Sequence, residues 1–529
     1  MRIVLFLSIA LQCSGMSFAQ RKLDTASLGM IASAHPLATE AGYRMLRNGG
    51  NAFDAATAVS FMLAVVEPSM SGIGGRLQAV WYHADKGIGG IDATTQVPAG
   101  YLKKPKEEED GFGTIGVPGM VKGILKLHET HGRLPLKTVM QPAIDAASDG
   151  HPLHGEEAAR QSAVLKDLRR YEGTVRHFII GDTIPAGGYL LRQPALAATL
   201  KTIAKDHGKS FYSGGIAFAF SKEVEEGGGS LKLQDLQAYR APDAKILRGT
   251  YRGYELVATG LPSYGAIVIE MLQMLEQADL SAAGERDFLL QHAAVHYKAY
   301  EDRPLLKTIE DSLVQRSFAQ KRWADSIPAG IGRQAKADTA GQDNGNGHTT
   351  HFVTSDAQGN VVSLTQSLGP LMGSKVASKK YGFMFATTMG PYLGGMKAGD
   401  RASSHISPVI LLKDGKPVMA LGAAGGARIV PAIVQVISRV VDQGLSLEKA
   451  LAAVRVFQLP DRLLVENHPG VWWREAGTLQ ALRATGARVD AVKSPAQFGR
   501  VHVIQRLAGG DWIGAADPDW AGTAMGLDR

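Results

Sequence analysis

The segment from residue 324 to 347, together with the residues that follow it, most constrains how this chain can fold. The segment carries five glycines among alanine, aspartate, asparagine and glutamine, with almost nothing apolar. Such a composition predicts a flexible, exposed connection. Residues 349–367 then read as two β-runs joined by an Asp-Ala-Gln-Gly-Asn turn. The sequence therefore predicts a flexible connection that is followed directly by a strand beginning with two threonines.

On either side of this connection the spacing of the hydrophobic residues predicts both helices and strands. Strands are predicted at residues 31–36 and 77–82, with a return strand to 91–92, and a hairpin joins 409–412 to 417–420. Apolar residues at helical spacing predict helices at 38–48, 52–66, 117–130, 135–150, 194–207, 215–225 and 266–277.

Composition excludes several classes of function. The chain has 529 residues, of which 45% are hydrophobic and 20% charged, so it can bury a large core. One cysteine excludes a disulfide framework, an iron–sulfur site and a cysteine-based zinc site. The net charge of +7 comes without a dense basic tract, and the histidines lack a His-Glu-x-x-His pair. We therefore expect no nucleic-acid partner, no metal and no cofactor.

The first 19 residues have the pattern of a secretory signal peptide. Arg2 precedes an apolar run over residues 3–11, and Ser-Phe-Ala at 17–19 is a small-residue cleavage motif. Cleavage after Ala19 would also remove Cys13. We expect a secreted or periplasmic protein without a stable membrane anchor; an uncleaved N-terminal anchor is the alternative.

The threonine at the start of the strand predicts a specific chemistry. A threonine hydroxyl is a poor nucleophile unless a base lies beside it, and a threonine at a chain N-terminus has its own α-amine for that purpose. Such an enzyme is made as a precursor that is cut just before the threonine, here Thr349. By itself a Thr-Thr pair at a strand start also fits simple β-propensity.

The wider set of motifs resembles the γ-glutamyltransferase (glutathione hydrolase) family of N-terminal-nucleophile hydrolases. The resemblance covers about residues 28–520, with the motifs in family order. It rests on Thr-Thr-His-Phe-Val at 349–353, Ser-His-Ile-Ser-Pro at 404–408, Leu-Gly-Ala-Ala-Gly-Gly-Ala-Arg at 421–428, and the stretches 34–42, 48–56, 66–75, 117–119, 193–194, 302–303, 359–367 and 514–518.

The resemblance implies a fold and a processing scheme. The expected fold is a four-layer αββα sandwich (α/β), two stacked antiparallel sheets flanked by helices. Residues 1–19 would be the signal peptide, 20–348 the large subunit and 349–529 the small subunit of one intertwined domain. The two cleavage products would stay together as a heterodimer.

The resemblance also implies roles for particular residues. Thr349 would be the cleavage site and the nucleophile, freed from His348, and Ser367 would be a second hydroxyl bonded to it. Gly425 and Gly426 correspond to the pair whose backbone N–H groups form the oxyanion hole, which suits residues without side chains. Ser404 corresponds to a residue that holds the substrate near those amides.

The substrate clamp of the family is where this sequence departs from it. The arginine that pairs with the glutamyl α-carboxylate is replaced by Thr94, and the aspartate for the α-amine by Gly390. An asparagine after the second hydroxyl is replaced by Gly369, and a serine by His405. Losing both charged partners is expected to abolish ordinary glutamyl recognition.

Arg76 offers one compensation, because it stands where the family continues with glycines. It could supply a relocated carboxylate contact, or it could be a solvated surface arginine, which we consider the better interpretation at this stage. His351 and His405 could line the site or be structural histidines. Glu301 and Asp302, just before Arg303, are interpreted as structural salt-bridge partners.

Two classes of function remain open. The first is an autoprocessing threonine hydrolase or acyltransferase that cleaves a small-molecule amide, either γ-glutamyl-like or with a non-glutamyl acyl group as in an amidase or acylase. The second is a non-catalytic relative that acts as a binding protein. Retention of the nucleophile, the second hydroxyl and both glycines favours the first.

Overall fold

The computed structural model of the chain describes residues 22–103, 108–324 and 348–529. The predicted signal peptide and residues 325–347 of the predicted connection lie outside these ranges. Numbered along the chain, the described strands are β1 (Leu23–Ala26), β2 (Gly29–Ser33), β3 (Arg76–His83), β4 (Gly87–Ala93), β5 (His151–Pro152), β6 (Leu190–Leu191), β7 (Ile246–Tyr251), β8 (Tyr254–Thr259), β9 (His348–Ser355), β10 (Val361–Gly369), β11 (Val409–Lys413), β12 (Lys416–Ala424), β13 (Val456–Gln458), β14 (Leu463–Glu466), β15 (Val489–Val492), β16 (Arg500–Arg506), β17 (Trp512–Ala516) and β18 (Thr523–Leu527).

Helices account for most of the remaining regular structure. They are α1 (Pro36–Arg47), α2 (Ala52–Val66), α3 (Met120–His131), α4 (Leu136–Asp149), α5 (Gly155–Ala163), α6 (Leu165–Leu168), α7 (Glu172–Phe178), α8 (Pro194–Asp206), α9 (Lys209–Ser213), α10 (Gly215–Glu226), α11 (Leu233–Ala238), α12 (Gly265–Leu275), α13 (Glu285–Asp302), α14 (Leu306–Leu313), α15 (Arg316–Ala324), α16 (Ile429–Val441), α17 (Leu447–Ala452) and α18 (Thr478–Arg483), with 3₁₀ turns at Phe112–Thr114, Arg303–Leu305, Pro391–Leu393 and Gly426–Arg428.

Two large antiparallel sheets form the centre of the molecule. One has the order β1-β17-β16-β12-β11-β8-β7 and the other β18-β2-β9-β10-β3-β4. Each sheet takes strands from both sides of the predicted cleavage point. A small sheet of β13, β14 and β15 and the β5–β6 pair lie apart from them.

Three apolar clusters show that the sheets stack between helical layers. Val80, Val353, Ile410 and Ile504, from strands of both sheets, share one buried cluster. A second cluster joins the six-stranded sheet to helices including α1, α2, α3 and α4. A third joins the seven-stranded sheet to α12, α13 and α16. The predicted four-layer αββα sandwich is therefore confirmed.

Local signals explain most helix boundaries. Helix α2 covers the predicted residues 52–66 because Asn51 and Asp54 form a reciprocal capping box at its start. Helix α3 begins at Met120, later than predicted, since Val117 is still bridged to Gln96 as extended chain. Helices α13 and α16 were not predicted from the sequence. No helix among the described residues combines the length and apolar character needed to cross a membrane.

Candidate active site

The two predicted catalytic hydroxyls meet on neighbouring strands. Thr349 is the second residue of β9, and the Thr349 hydroxyl donates to Ser367 Oγ of β10 at 3.2 Å. Both side chains are buried. The register is irregular here: Gln366 pairs with Thr350, but the next pair is Gly369 with His348. This irregularity lies directly at the two hydroxyls.

Ser367 connects the nucleophile to the bond that would be cut. Ser367 Oγ donates to the carbonyl oxygen of His348 at 2.8 Å and accepts the backbone N–H of Gly369 at 2.9 Å. One hydroxyl thus touches the attacking oxygen and the carbonyl that it would attack. A donor on that carbonyl oxygen stabilises negative charge if the carbonyl becomes tetrahedral.

Residues next to this pair alternate between the two faces of the sheet. His351 Nδ1 lies 2.8 Å from Thr365 Oγ1 of the neighbouring strand β10. The His351 ring faces the other sheet, where a Cβ on Gly422 would lie 2.5 Å from the imidazole. Burial lowers the pKa of His351 well below its usual value, with a smaller contribution from His502. His351 is therefore a neutral core histidine, in agreement with the structural alternative.

The opposite face of β9 contacts a buried carboxyl group that was assigned no role from the sequence. Thr350 Oγ1 donates to one oxygen of Glu67 at 2.9 Å, and the Trp520 indole N–H donates to the other at 3.1 Å. Burial raises the pKa of Glu67, while Arg160, 3.8 Å away, acts in the opposite direction. The sequence signal for Glu67 was its position after α2, within the stretch 66–75 that resembles the family.

Two arginines enclose Trp520. The guanidinium carbons of Arg160 and Arg500 lie 4.2 and 3.8 Å from the Trp520 ring centroid. Burial lowers the pKa of Arg500 to about 10, and the charge of Arg160 adds to this effect. They also place positive charge near β9. Desolvation lowers the pKa of the half-buried His348 well below its usual value, and the charges of Arg500, Lys375 and Arg160 add to this effect.

The predicted oxyanion glycines lie just beyond the end of β12. Gly425 has a φ of 142° and Gly426 a φ of 59°, and a Cβ on Gly425 would lie 2.8 Å from the Cα of Gly499. Residues with side chains rarely adopt such dihedrals. The Tyr300 hydroxyl of α13 donates to the carbonyl of Ala427 at 2.6 Å and holds this loop.

The direction of β12 points the glycine loop toward Thr349. Ser363 donates to the Leu421 carbonyl at 3.0 Å, whereas Gly422 stacks on His351. Leu421 of β12 therefore lies opposite the Val353–Ser363 pair, and the next residue of β12 lies opposite His351, which is closer to Thr349 along β9. Continued in the same direction, the strand leads to the end of the sandwich that carries Thr349.

Ser404 and His405 lie together beside α13. Arg303 donates to His405 Nε2 at 3.0 Å, and the ring of Tyr264 packs edge-on at 4.7 Å. Burial, followed by the charge of Arg303, lowers the pKa of His405 well below its usual value. His405 is therefore neutral, with its proton on Nδ1. Ser404 Oγ is buried and finds no hydrogen-bond partner among the described residues.

The carboxyl groups beside Arg303 pair with a different arginine. Arg322 lies 3.1 Å from Glu301 and 2.7 Å from Asp302. The interpretation of Glu301 and Asp302 as salt-bridge partners is confirmed, with Arg322 as the partner. Arg303 is thereby left to orient His405.

The surroundings of Thr94 and Gly390 show what occupies the two positions where the resemblance implies a charged clamp. The Thr94 hydroxyl donates to Asp92 at 2.6 Å, and the Thr94 carbonyl accepts from Tyr239, so this residue serves the local turn. Gly390 has a φ of 98°, and a Cβ there would overlap the carbonyl oxygen of Glu108. No carboxylate side chain fits at residue 390.

Arg76 is not the solvated surface residue that was considered the better interpretation. It is only 1% exposed, and Arg76 Nη2 donates to the Thr387 carbonyl at 2.7 Å. Burial was not foreseen because arginine is seldom fully buried and no apolar period marks this loop. In the register of the sheet Arg76 pairs with Ser367.

A second cluster has ligand-type atoms but a simpler explanation. Glu466, His468 and Asp519 each bring one such atom within 4.8 Å of the others. His468 Nε2 lies 2.8 Å from Asp519 and 3.4 Å from Glu466, and the Glu466 hydrogen bond raises the pKa of His468. An ion-paired histidine between two carboxylates accounts for this geometry.

The stacked sheets and the hydroxyl pair at a strand start are those of the N-terminal-nucleophile amide hydrolases and acyltransferases, the class to which the matching profile and the named relatives belong. The sequence profile described as Gamma-glutamyltranspeptidase matches residues 38–527. The chain belongs to the γ-glutamyltranspeptidase family.

Individual relatives include both glutathione hydrolases and acylases. The chain is 32% identical over 539 residues to the Acylase ACY 1 proenzyme of Pseudomonas sp. (strain V22), covering 94% of this chain and 93% of the relative. It is 29% identical over 559 residues to the glutathione hydrolase proenzyme of Bacillus subtilis (strain 168), covering 96% and 93%. The solved cephalosporin acylase from Bacillus halodurans shares the fold, with a TM-score of 0.87 at 24% identity over 99% of this chain and 100% of that one.

Proposed function

We propose that this protein is a precursor that cuts itself before Thr349 and then hydrolyses amides through an ester on the Thr349 hydroxyl. The observation that carries the proposal is the Ser367 hydroxyl, which contacts both Thr349 Oγ1 and the His348 carbonyl oxygen. The names of both relatives describe proenzymes, which agrees with a cut precursor.

In the first step Thr349 Oγ1 attacks the carbonyl carbon of His348, and the hydroxyl of Ser367 stabilises the developing oxyanion. The C–N bond then breaks, the proton passes to the Thr349 nitrogen, and His348 is held as an ester on Oγ1. Water hydrolyses this ester, releasing the carboxylate of His348 and a free α-amine on Thr349. That amine, with a reference pKa of about 7.7–8.0, can then accept the hydroxyl proton.

In the mature enzyme the same hydroxyl attacks the substrate amide. The backbone N–H groups of Gly425 and Gly426 would stabilise the tetrahedral oxyanion, with Ser404 holding the substrate nearby. The amine leaves with the proton that the α-amine took up, and the acyl group stays on Thr349 as an ester. Water or a second amine then takes the acyl group and restores the hydroxyl.

The acyl group that this site accepts is proposed to differ from an ordinary γ-glutamyl group. Thr94 is hydrogen-bonded within its own turn, and Gly390 has no room for an acidic side chain. Without an arginine and an aspartate at these positions, the ammonium and carboxylate of a glutamyl group lose their usual partners. We therefore favour an acylase-like amide hydrolase over a γ-glutamyl hydrolase whose glutamyl-binding residues have been replaced by others.

The two products, residues 20–348 and 349–529, are proposed to stay joined as a heterodimer. Each large sheet contains strands from both products, so separation would break strand pairs such as β2 with β9 and β11 with β8. It would also expose the apolar cluster between the sheets. We further propose export after removal of residues 1–19.

Processing is the direct test. Intact mass spectrometry of the purified protein should show two chains, one of them beginning at Thr349, and Thr349→Ala should leave one chain. Thr354→Ala is the matched control, because Thr354 lies on the same strand with its hydroxyl on the Ala52 carbonyl at 2.8 Å. A wild-type chain that stays intact after long incubation would instead indicate a non-catalytic binding protein.

A further inference from the structure

Several buried polar atoms without partners gather beside the two hydroxyls. Among the described residues, Arg76 Nε and Nη1, both amide atoms of Gln78, and Thr387 Oγ1 make no hydrogen bond. Arg76 and Gln78 are each 1% exposed and Thr387 is fully buried. Buried polar groups are normally satisfied, so a group of orphans at one place needs an explanation.

The orphaned atoms belong to one neighbourhood. Arg76 and Gln78 are two residues apart on β3, so their side chains leave the same face of the sheet. Arg76 Nη2 donates to the carbonyl of Thr387, which brings that residue to the guanidinium. The orphaned donors and acceptors therefore belong to residues on one face of the start of β3 and to the Thr387 segment that contacts Arg76.

The start of β3 adjoins the proposed nucleophile. Arg76 pairs directly with Ser367, and directly opposed residues of antiparallel strands project from the same face. Ser367 in turn accepts the Thr349 hydroxyl at 3.2 Å. These contacts cross three adjacent strands, from Arg76 on β3 through Ser367 on β10 to Thr349 on β9. Two strand spacings separate the outer strands, a distance of ~10 Å.

The guanidinium of Arg76 has no carboxylate partner in the described part of the chain. The Tyr392 ring centroid lies 6.0 Å from Arg76 Cζ, and the ion pairs of the described residues do not include Arg76. Burial lowers the pKa of Arg76, and only Tyr392 acts against it. An uncompensated buried charge is costly, whereas a carboxylate with additional hydrogen bonds offsets that cost.

Gly369 shows that the site is built around this arginine. A Cβ on Gly369 would lie 2.7 Å from Arg76 Nη2, so the guanidinium occupies the space of a side chain at residue 369. This is where the family motif led us to expect an asparagine. The arginine at 76 and the glycine at 369 are therefore two parts of one change.

Among the described residues, neither Gly390 nor Thr94 offers a carboxylate for an ammonium group. Gly390, at the position of the expected aspartate, cannot carry a side chain because Glu108 O occupies the space. Asp92, the nearest acidic residue of the Thr94 turn, is already bonded to Thr94 and lies 3.4 Å from Arg401. A ligand with a carboxylate and no nearby ammonium fits these surroundings.

We propose that Arg76, assisted by Gln78 and Thr387, binds a free carboxylate on the acyl group of the substrate. The substrate class is then the monoamides of dicarboxylic acids that lack an α-amino group. This inference rests on the proposed acyl-Thr349 chemistry. One carbonyl forms the ester with Thr349 while the distant carboxylate stays on Arg76, and water releases the dicarboxylic acid after the amine has left.

The test compares p-nitroanilides in the processed enzyme. Succinyl, glutaryl and adipyl anilides carry the carboxylate at three distances, butyryl and valeryl anilides replace it with a methyl group, and γ-glutamyl anilide adds the ammonium. We expect kcat/KM to be highest for one of the dicarboxylic monoamides. Selectivity is the kcat/KM for that monoamide divided by the kcat/KM for the matching neutral anilide. Arg76→Met should lower this ratio about 100-fold.

Gly369→Ala provides an independent variant that keeps the charge but displaces the guanidinium. It should lower the same ratio, whereas Gly415→Ala should not. Gly415 has a φ of 74° with open space around its Cβ, so it imposes comparable backbone strain in the β11–β12 turn without touching Arg76. Each variant is first checked for processing by mass spectrometry.

The wild type alone also decides the question if Arg76 variants fail to fold. Free glutarate should inhibit hydrolysis of the neutral anilide far more strongly than butyrate does. Equal inhibition, or no preference for carboxylate-bearing anilides in an enzyme that cleaves neutral ones, would overturn the carboxylate site and leave the proposed function intact. An unprocessed chain that cleaves no anilide would instead remove the proposed function itself.

Discussion

The Ser367 hydroxyl donates a 2.8 Å hydrogen bond to the carbonyl oxygen of His348. Because Ser367 Oγ also accepts the Thr349 hydroxyl, a single side chain orients the predicted nucleophile and polarises the carbonyl before it. In its third contact Ser367 Oγ accepts the backbone N–H of Gly369 at 2.9 Å. In the proposed self-cleavage, one hydroxyl group therefore contacts both the attacking oxygen and the carbonyl that it would attack.

Ser367→Ala should slow self-cleavage about 100-fold, the usual effect of losing one donor to a developing oxyanion. Appearance of the chain that begins at Thr349, followed by mass spectrometry, measures the rate. Ser367→Thr should restore most of it, because the hydroxyl is kept.

Ser363→Ala is the control for loss of a buried hydroxyl on the same strand. Ser363 donates to the Leu421 carbonyl at 3.0 Å, so its removal should cost about 1–3 kcal/mol of stability without changing the rate of processing. Equal processing rates in the variants at 363 and 367 would contradict the role assigned to Ser367.

Tyr300→Phe should lower kcat of the processed enzyme about 10-fold with little change in KM, a loss smaller than that of an oxyanion donor itself. The Tyr300 hydroxyl bonds the Ala427 carbonyl, which directly follows the two glycines. Steady-state kinetics on an anilide substrate measure the effect. Tyr297→Phe, on the same helix but with its hydroxyl toward Glu301, should leave kcat unchanged. A rise in KM with unchanged kcat would place Tyr300 in substrate binding instead.

Gly390→Asp should not create a γ-glutamyl hydrolase, although it restores the residue type expected from the family. The new Cβ would overlap the Glu108 carbonyl, and overpacking of this kind costs about 1–3 kcal/mol. Thermal unfolding should show a lower midpoint than for Gly394→Asp, whose Cβ meets open space at a φ of 76°. Brisk γ-glutamyl anilide hydrolysis by a stable Gly390→Asp protein would refute this account of the missing clamp.

The sequence was sufficient to predict the strand that carries Thr349, the four layers and the contact between Thr349 and Ser367. Those features follow from motifs whose order is tied to the family fold and from hydrophobic periods such as that of α2. The end of β12 with Gly425 could be placed for the same reason, since the glycine pair follows a clear hairpin.

What the sequence could not supply depends on contacts between distant segments. Arg76 was interpreted as solvated, because nothing local shows that Thr387 and Gly369 enclose it. Glu67 received no role, since its partners Thr350 and Trp520 lie 283 and 453 residues away. Polar contacts between residues so far apart in the chain produce no local sequence pattern from which they could be predicted.

The stability of the folded chain should fall as the pH drops below 6.5, and His292 should account for part of this loss. Burial lowers the pKa of His292 to about 3, with Arg439 acting in the same direction and the bond to the Phe288 carbonyl opposing both. Because the unfolded chain binds the proton near pH 6.5 and the native one only near 3, the neutral histidine's contribution is complete above 6.5. It is lost at about 1.4 kcal/mol per pH unit as the pH falls toward 3. Urea unfolding of the single-chain Thr349→Ala protein at pH 7.5, 6 and 5 measures the slope, and His292→Phe in that background should flatten it. An unchanged slope would show that His292 does not remain neutral in the native core.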